Sequence, residues 1–164
     1  RARALRWFLE DARLDDGTPL HRAWVADATR LRSEVDFAFC LDEALIEGAI
    51  DALAEYADGS LRVLDYKTGG DPAAETLASY RFQVGLYCAA VEAIVGRPVT
   101  DAALVLLDAR RVIRFDAPAE AAQAQTEARA IIAAVRRGEF APRAGCPDDG
   151  GRDRCPLAHA CPLP

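Results

Sequence analysis

The most constraining stretch of this 164-residue sequence is the pair of runs joined by Asp58-Gly59. Asp-Gly between two apolar runs is a strong hairpin signal, because it supplies the positive φ that a tight turn between twisted strands demands. Leu45 to Tyr56 therefore reads as one strand and Leu61 to Lys67 as the next. Upstream, Val35, Phe37 and Phe39 alternate with Glu34, Asp36 and Ala38 from Ser33 onward, as a half-buried strand would. Three successive strands with short turns predict an antiparallel meander. Thr68-Gly69-Gly70-Asp71-Pro72 ends it.

The remaining periodicities are helical on either side of another strand pair. Leu77 to Val95 carries Tyr80, Val84, Tyr87 and Val91 on one stripe, stopped by Gly96-Arg97-Pro98. Asp101 to Asp108 holds one continuous apolar run, Ala102 to Leu107, the mark of a strand buried on both faces. Val112 to Phe115 is its partner, and Ala117 to Arg137 a second long helix. Near the start, Leu5, Phe8, Leu9 and Ala12 have helical spacing, Asp15 to Pro19 breaks it, and Leu20 to Leu31 reads as helical again. The expected fold class is α/β, with a mixed sheet flanked by helices. Residues 1–141 form the expected domain, and residues 142–164 a Cys-rich tail unable to build a core unaided.

Asp51 and Asp65 fall on the two hairpin strands among aliphatic neighbours, where a carboxylate is costly unless paired or bound to a cation. Two facing carboxylates suit Mg²⁺ or Mn²⁺ with waters completing the shell. Lys67, two residues beyond Asp65, shares its face of the strand and can orient a water or stabilise charge developing on a phosphoryl group. The same residues are also compatible with a solvated same-face ion pair on a surface hairpin.

Gly48-Ala49-Ile50-Asp51, then Val63-Leu64-Asp65-Tyr66-Lys67-Thr68-Gly69, then Tyr80, Gln83 and Tyr87 together resemble the RecB-type nuclease family of the PD-(D/E)XK superfamily, in order and in spacing. Its nearest likeness is to the nuclease domains that end helicase–nucleases such as RecB, AddA and AddB. The resemblance implies a restriction-endonuclease-like fold and an Mg²⁺- or Mn²⁺-dependent (exo)deoxyribonuclease of DNA recombination and repair. DNA, single-stranded and fed by a helicase domain or subunit, is the implied partner. Asp51, Asp65 and the Tyr66 carbonyl are the implied metal ligands, Lys67 the catalytic lysine, and Gln83 and Tyr87 the residues facing site and DNA. The family usually adds an upstream histidine. His21 has a short gap to Asp51 for that role, and Glu34 stands where members often carry a glutamate.

Five cysteines and the absence of a secretory leader argue against a disulfide framework. Three of them, Cys146, Cys155 and Cys161, crowd the last nineteen residues. The C-x5-C spacing of Cys155 and Cys161 resembles iron–sulfur members of the family, which implies a [4Fe–4S] cluster in the full-length protein. The gap after Cys146 is wider than the family's, and the first cysteine ligand would precede Arg1. Zinc on the three cysteines and His159, or no metal, are the alternatives. Cys40 and Cys88 read as buried apolar cysteines.

A net charge of -6 weighs against a stand-alone electrostatic DNA binder but not against a carboxylate-based nuclease. No apolar run is long enough for a membrane span, so a cytoplasmic location is expected. The chain opens on Arg1 with a helix under way, as a piece of a longer polypeptide would. Two rival functions stay open: an inactivated nuclease fold that holds DNA or protein, and a metal hydrolase of non-nucleic substrates.

Overall fold

In a computed structural model the protein is described over residues 2–139. Contacts partition the chain into Arg1–Ala130 and Ile131–Pro164, and the first unit holds the whole sheet. Five strands run β1 (Arg30–Leu41), β2 (Ala44–Glu55), β3 (Leu61–Lys67), β4 (Asp101–Leu106) and β5 (Arg111–Phe115), in that spatial order. The first three are antiparallel as expected, β3 and β4 are parallel, and β5 returns antiparallel. The helix α1 (Ala2–Arg6) opens the chain, α2 (Ala74–Val95) makes the β3–β4 crossover, and α3 (Ala117–Arg136) follows β5. The result is the expected mixed sheet flanked by helices.

Local chemistry sets the ends of these elements. Gly59 takes the hairpin turn at φ 82°. Gly96 ends α2 in the left-handed conformation, its N–H donating to the Glu92 carbonyl. Asp116 opens α3 by accepting the Ala119 N–H on Oδ1. β4 is buried from Ala102 to Leu106, as a strand covered on both faces must be. Gly85 lets α2 approach α3, for a Cβ there would lie 2.5 Å from the Glu120 carbonyl oxygen. Beside it Glu120, itself buried, is paired with Arg81 of α2.

The N-terminal segment covers one face of the sheet. Phe8, Leu14, Leu20 and Trp24 pack in one cluster with Ala52, Leu64, Ala103 and Val105. Fully burying a large apolar side chain such as Leu20 contributes roughly 1.5–3 kcal/mol. That segment departs from the expected helices. α1 spans only Ala2–Arg6 and gives way to a π-type turn, Trp7–Asp11, and a second such turn spans Arg22–Ala26. β1 then starts at Arg30, not Ser33, because both the N–H and the hydroxyl of Thr29 donate to the Glu55 carbonyl and draw the backbone into the sheet. Leu5 and Leu9 of the expected apolar stripe are exposed. Cys40 is also exposed, since it alternates with the inward-facing Phe39 and Leu41, whereas Cys88 is buried on α2.

Candidate active site

The site begins where the ladders fail. Ser33 faces Ala52 and Val35 faces Ile50, so the skipped pair is Glu34 and Asp51, with Glu34 at φ 51°. On the other side β2–β3 pairing reaches only Ala52↔Leu64, one step short of Asp51 and Asp65. Asp51 therefore has no ladder partner on either side. Its Oδ2 instead accepts the Tyr66 N–H at 2.7 Å. That bond fixes the carboxylate beside β3 and leaves Oδ1 for another partner.

Asp65 is completely buried, the costliest position for a charge in the sheet. Lys67 Nζ donates to its Oδ1 at 3.0 Å. The same ammonium lies 2.9 Å from Oδ2, but off the hydrogen-bonding direction, so that buried oxygen has a nearby charge and no donor. Burial pushes the Asp65 carboxyl above the usual carboxylate range. The Lys67 hydrogen bond and charge oppose that rise, and the Asp51 charge adds to it.

α2 supplies the opposing wall. Gln83 Oε1 accepts from Lys67 Nζ at 2.8 Å, and Gln83 Nε2 donates to the Tyr87 hydroxyl at 2.8 Å. The Tyr80 ring lies beneath the ammonium, 5.1 Å from Nζ to its centroid. Asp65, Lys67, Gln83 and Tyr87 thus form one chain of contacts from strand to helix. Burial first, then the charges of Asp65, Asp51 and Glu34, push the Tyr87 hydroxyl up to about 12, so it stays protonated as a donor. Burial and Asp51 likewise push Tyr66 up to about 12.

The structure therefore brings together Asp51, Asp65, Lys67, Gln83 and Tyr87. Glu34 lies opposite Asp51 in register, in the fifth position of β1 and not at its start. His21 packs edge-on against Phe8 at 5.6 Å, and Phe8 in turn against Tyr66 at 5.4 Å. Among the described residues no group of three or more His, Cys, Asp or Glu side chains converges on a metal position. Cys146, Cys155, His159 and Cys161 lie outside the described residues. The role of Tyr80 was missed, although its i, i+3, i+7 spacing with Gln83 and Tyr87 placed all three on one helical face.

The donor set fits a hard divalent cation. A buried carboxylate oxygen that has an ion-pair partner but no hydrogen-bond donor lies near a second, oriented carboxylate, both of them hard oxygen donors. Mg²⁺ is held by one or two carboxylates with waters filling the rest of its shell, and it resists an all-protein cage.

Known proteins resemble this chain in sequence and in fold. Gene 69 protein of Mycobacterium phage D29 is 40% identical over 80 residues, 49% of this chain and 27% of the phage protein. An ATP-dependent helicase/nuclease subunit of Desulfitobacterium hafniense strain DSM 10664 is 31% identical over 129 residues, covering 71% of this chain and 9% of that protein. The corresponding protein of Moorella thermoacetica is 48% identical over 64 residues, 39% of this chain and 4% of its own length. The chain thus spans a small part of these relatives. The crystal structure of SSO0001 superimposes with a TM-score of 0.52 at 17% identity, covering 81% of this chain and 60% of that one, a likeness of fold. A family model of the PD-(D/E)XK nuclease superfamily matches residues 1–162, and the chain belongs to that superfamily.

Proposed function

We propose that this domain hydrolyses DNA phosphodiester bonds with Mg²⁺ or Mn²⁺, working as an exonuclease on single strands delivered by a helicase domain or subunit. The observation that carries the reading is the fully buried Asp65 carboxylate, its Oδ2 without a hydrogen-bond donor, beside the oriented Asp51 and the Lys67–Gln83 chain. The helicase partner is carried over from the names of the helicase/nuclease relatives, and the single-strand preference from the family resemblance.

Asp51, Asp65 and the Tyr66 carbonyl would hold the ion. When bound, the ion polarises a phosphoryl oxygen and makes a coordinated water more acidic. Lys67 has three ammonium protons, two engaged by Asp65 Oδ1 and Gln83 Oε1. The third is free to hold the attacking water or a non-bridging phosphate oxygen in line, and the ammonium charge stabilises the charge building there. Gln83 fixes the ammonium's direction, and Tyr87 fixes Gln83. Neither takes a proton.

In the cysteine tail, Cys146, Cys155 and Cys161 would contribute thiolates to a [4Fe–4S] cluster. Iron and sulfide analysis of anaerobically purified full-length protein is expected to find both elements, and finding neither would refute the cluster.

The central test is cleavage of end-labelled linear and circular single-stranded DNA. Linear strands are expected to shorten with Mg²⁺ or Mn²⁺ and to survive in EDTA, while circles persist throughout. Binding without cutting in every metal would instead fit an inactive module that only holds the strand.

A further inference from the structure

Beside the catalytic pair, the same face of the sheet carries a basic groove that the chemistry described so far does not use. The ladder pairs Arg32 with Leu53 and Arg30 with Glu55. Leu53 and Glu55 in turn face Val63 and Leu61. Two residues further along each strand come Glu34, Asp51 and Asp65, where the ladders are interrupted. Side chains two apart on a strand share a face, so Arg32 lies ~7 Å and Arg30 ~13 Å along the sheet from the carboxylates, at ~3.3 Å per residue. Arg30, Arg32 and Arg97 rim a cavity of about 220 Å³ with an apolar floor of Leu53, Leu61 and Val95.

The charges there are unbalanced. Arg97 is committed, donating to Glu55 Oε1 at 2.6 Å and to the Gly59 carbonyl at 3.0 Å. That hydrogen bond, with the charges of Arg97, Arg30 and Arg32, holds the Glu55 carboxyl below its ordinary range. Arg30 and Arg32 are exposed and make no side-chain hydrogen bond among the described residues. Three guanidiniums thus answer one carboxylate in a chain whose net charge is -6. β1 is an edge strand, and charge on an edge deters stray pairing. Edge protection accounts for arginines on β1; it does not account for their gathering with Arg97, from beyond α2, over an apolar floor.

The geometry points to this groove as the track for the uncut part of the substrate strand, with Arg32 and Arg30 gripping successive backbone phosphates away from the scissile one. Carboxylates at the cutting site repel a polyanion, so the hold on the strand has to come from cations displaced along its path. The apolar floor suits a base or sugar face without selecting its sequence. The inference rests on reading Asp51 and Asp65 as the cutting site.

The test is equilibrium binding of a fluorescein-labelled oligothymidylate of roughly twenty nucleotides to the 164-residue chain, in EDTA and over a range of salt. Arg30→Gln/Arg32→Gln is expected to bind more weakly and to flatten the log–log salt dependence by about 1.4, at ~0.7 per lost phosphate contact. Arg6→Gln/Arg129→Gln, which removes equal charge from residues paired elsewhere with Glu10 and Asp42, is expected to keep the wild-type slope. Equal slopes in all three proteins, with a wild type that still cuts, would overturn the groove alone. A wild type that binds strand with the arginine-dependent slope but cuts under no metal would support the groove and refute the nuclease reading.

Discussion

Asp65→Asn is expected to lower metal-dependent cleavage about 10³-fold or more, since a metal that polarises phosphate is worth several kcal/mol in the transition state and ~1.4 kcal/mol is tenfold in rate. The amide keeps the shape of the side chain and an acceptor for Lys67, and removes the charge on a buried carboxylate oxygen that has no hydrogen-bond donor. The folded protein then no longer has to bury that charge. Thermal unfolding in EDTA is therefore expected at or above the wild-type temperature, a result that separates lost chemistry from lost fold. Unchanged cleavage would remove Asp65 from the site.

Lys67→Met is expected to lower cleavage by roughly 10²–10⁴-fold, the range for losing a positioned proton donor or charge. Its effect on stability should be opposite in sign to that of Asp65→Asn. The methionine strips the ammonium from a fully buried carboxylate and leaves Gln83 Oε1 without its donor. Unpaired buried groups of this kind are expensive. The pH dependence follows from Asp65. Its folded-state carboxyl is already raised by burial, so the stability it contributes is present below the unfolded value and lost as pH rises through the folded one. Without Lys67, which opposes the rise, the carboxyl moves further up. Lys67→Met in metal-free buffer is therefore expected to lose stability relative to wild type as pH rises from the acid side toward neutrality. Melting curves across that range check it, and a constant difference between the two proteins would contradict the coupling.

Much of this frame was legible in the residues. Asp58-Gly59 set the hairpin, the unbroken run from Ala102 to Leu107 marked a central strand, and Gly96-Arg97-Pro98 ended the first long helix. The segment before β1 misled for a physical reason. Leu20, Trp24 and Val25 have helical spacing, yet a single π-type turn presents Trp24 to the sheet, and Thr29 is then bound to Glu55, a partner 26 residues away. Short-range periodicity carries no information about such a bond. The site divides in the same way. Spacing put Asp65 and Lys67 on one strand face and Gln83 and Tyr87 on one helical turn, but their meeting depends on how α2 crosses back over the sheet. Only the family resemblance had joined them. The break in both ladders at Asp51 was hidden, since glutamate is no signal for the positive φ that Glu34 adopts.

Hydrolysis at this site requires that Asp51 and Asp65 hold a divalent ion. Calorimetric titration of Mn²⁺ into wild type, Asp51→Asn and Asp65→Asn measures this without any cleavage assay. Saturable binding in the wild type, lost in both variants, is the predicted result. Indistinguishable isotherms for the three proteins would contradict it.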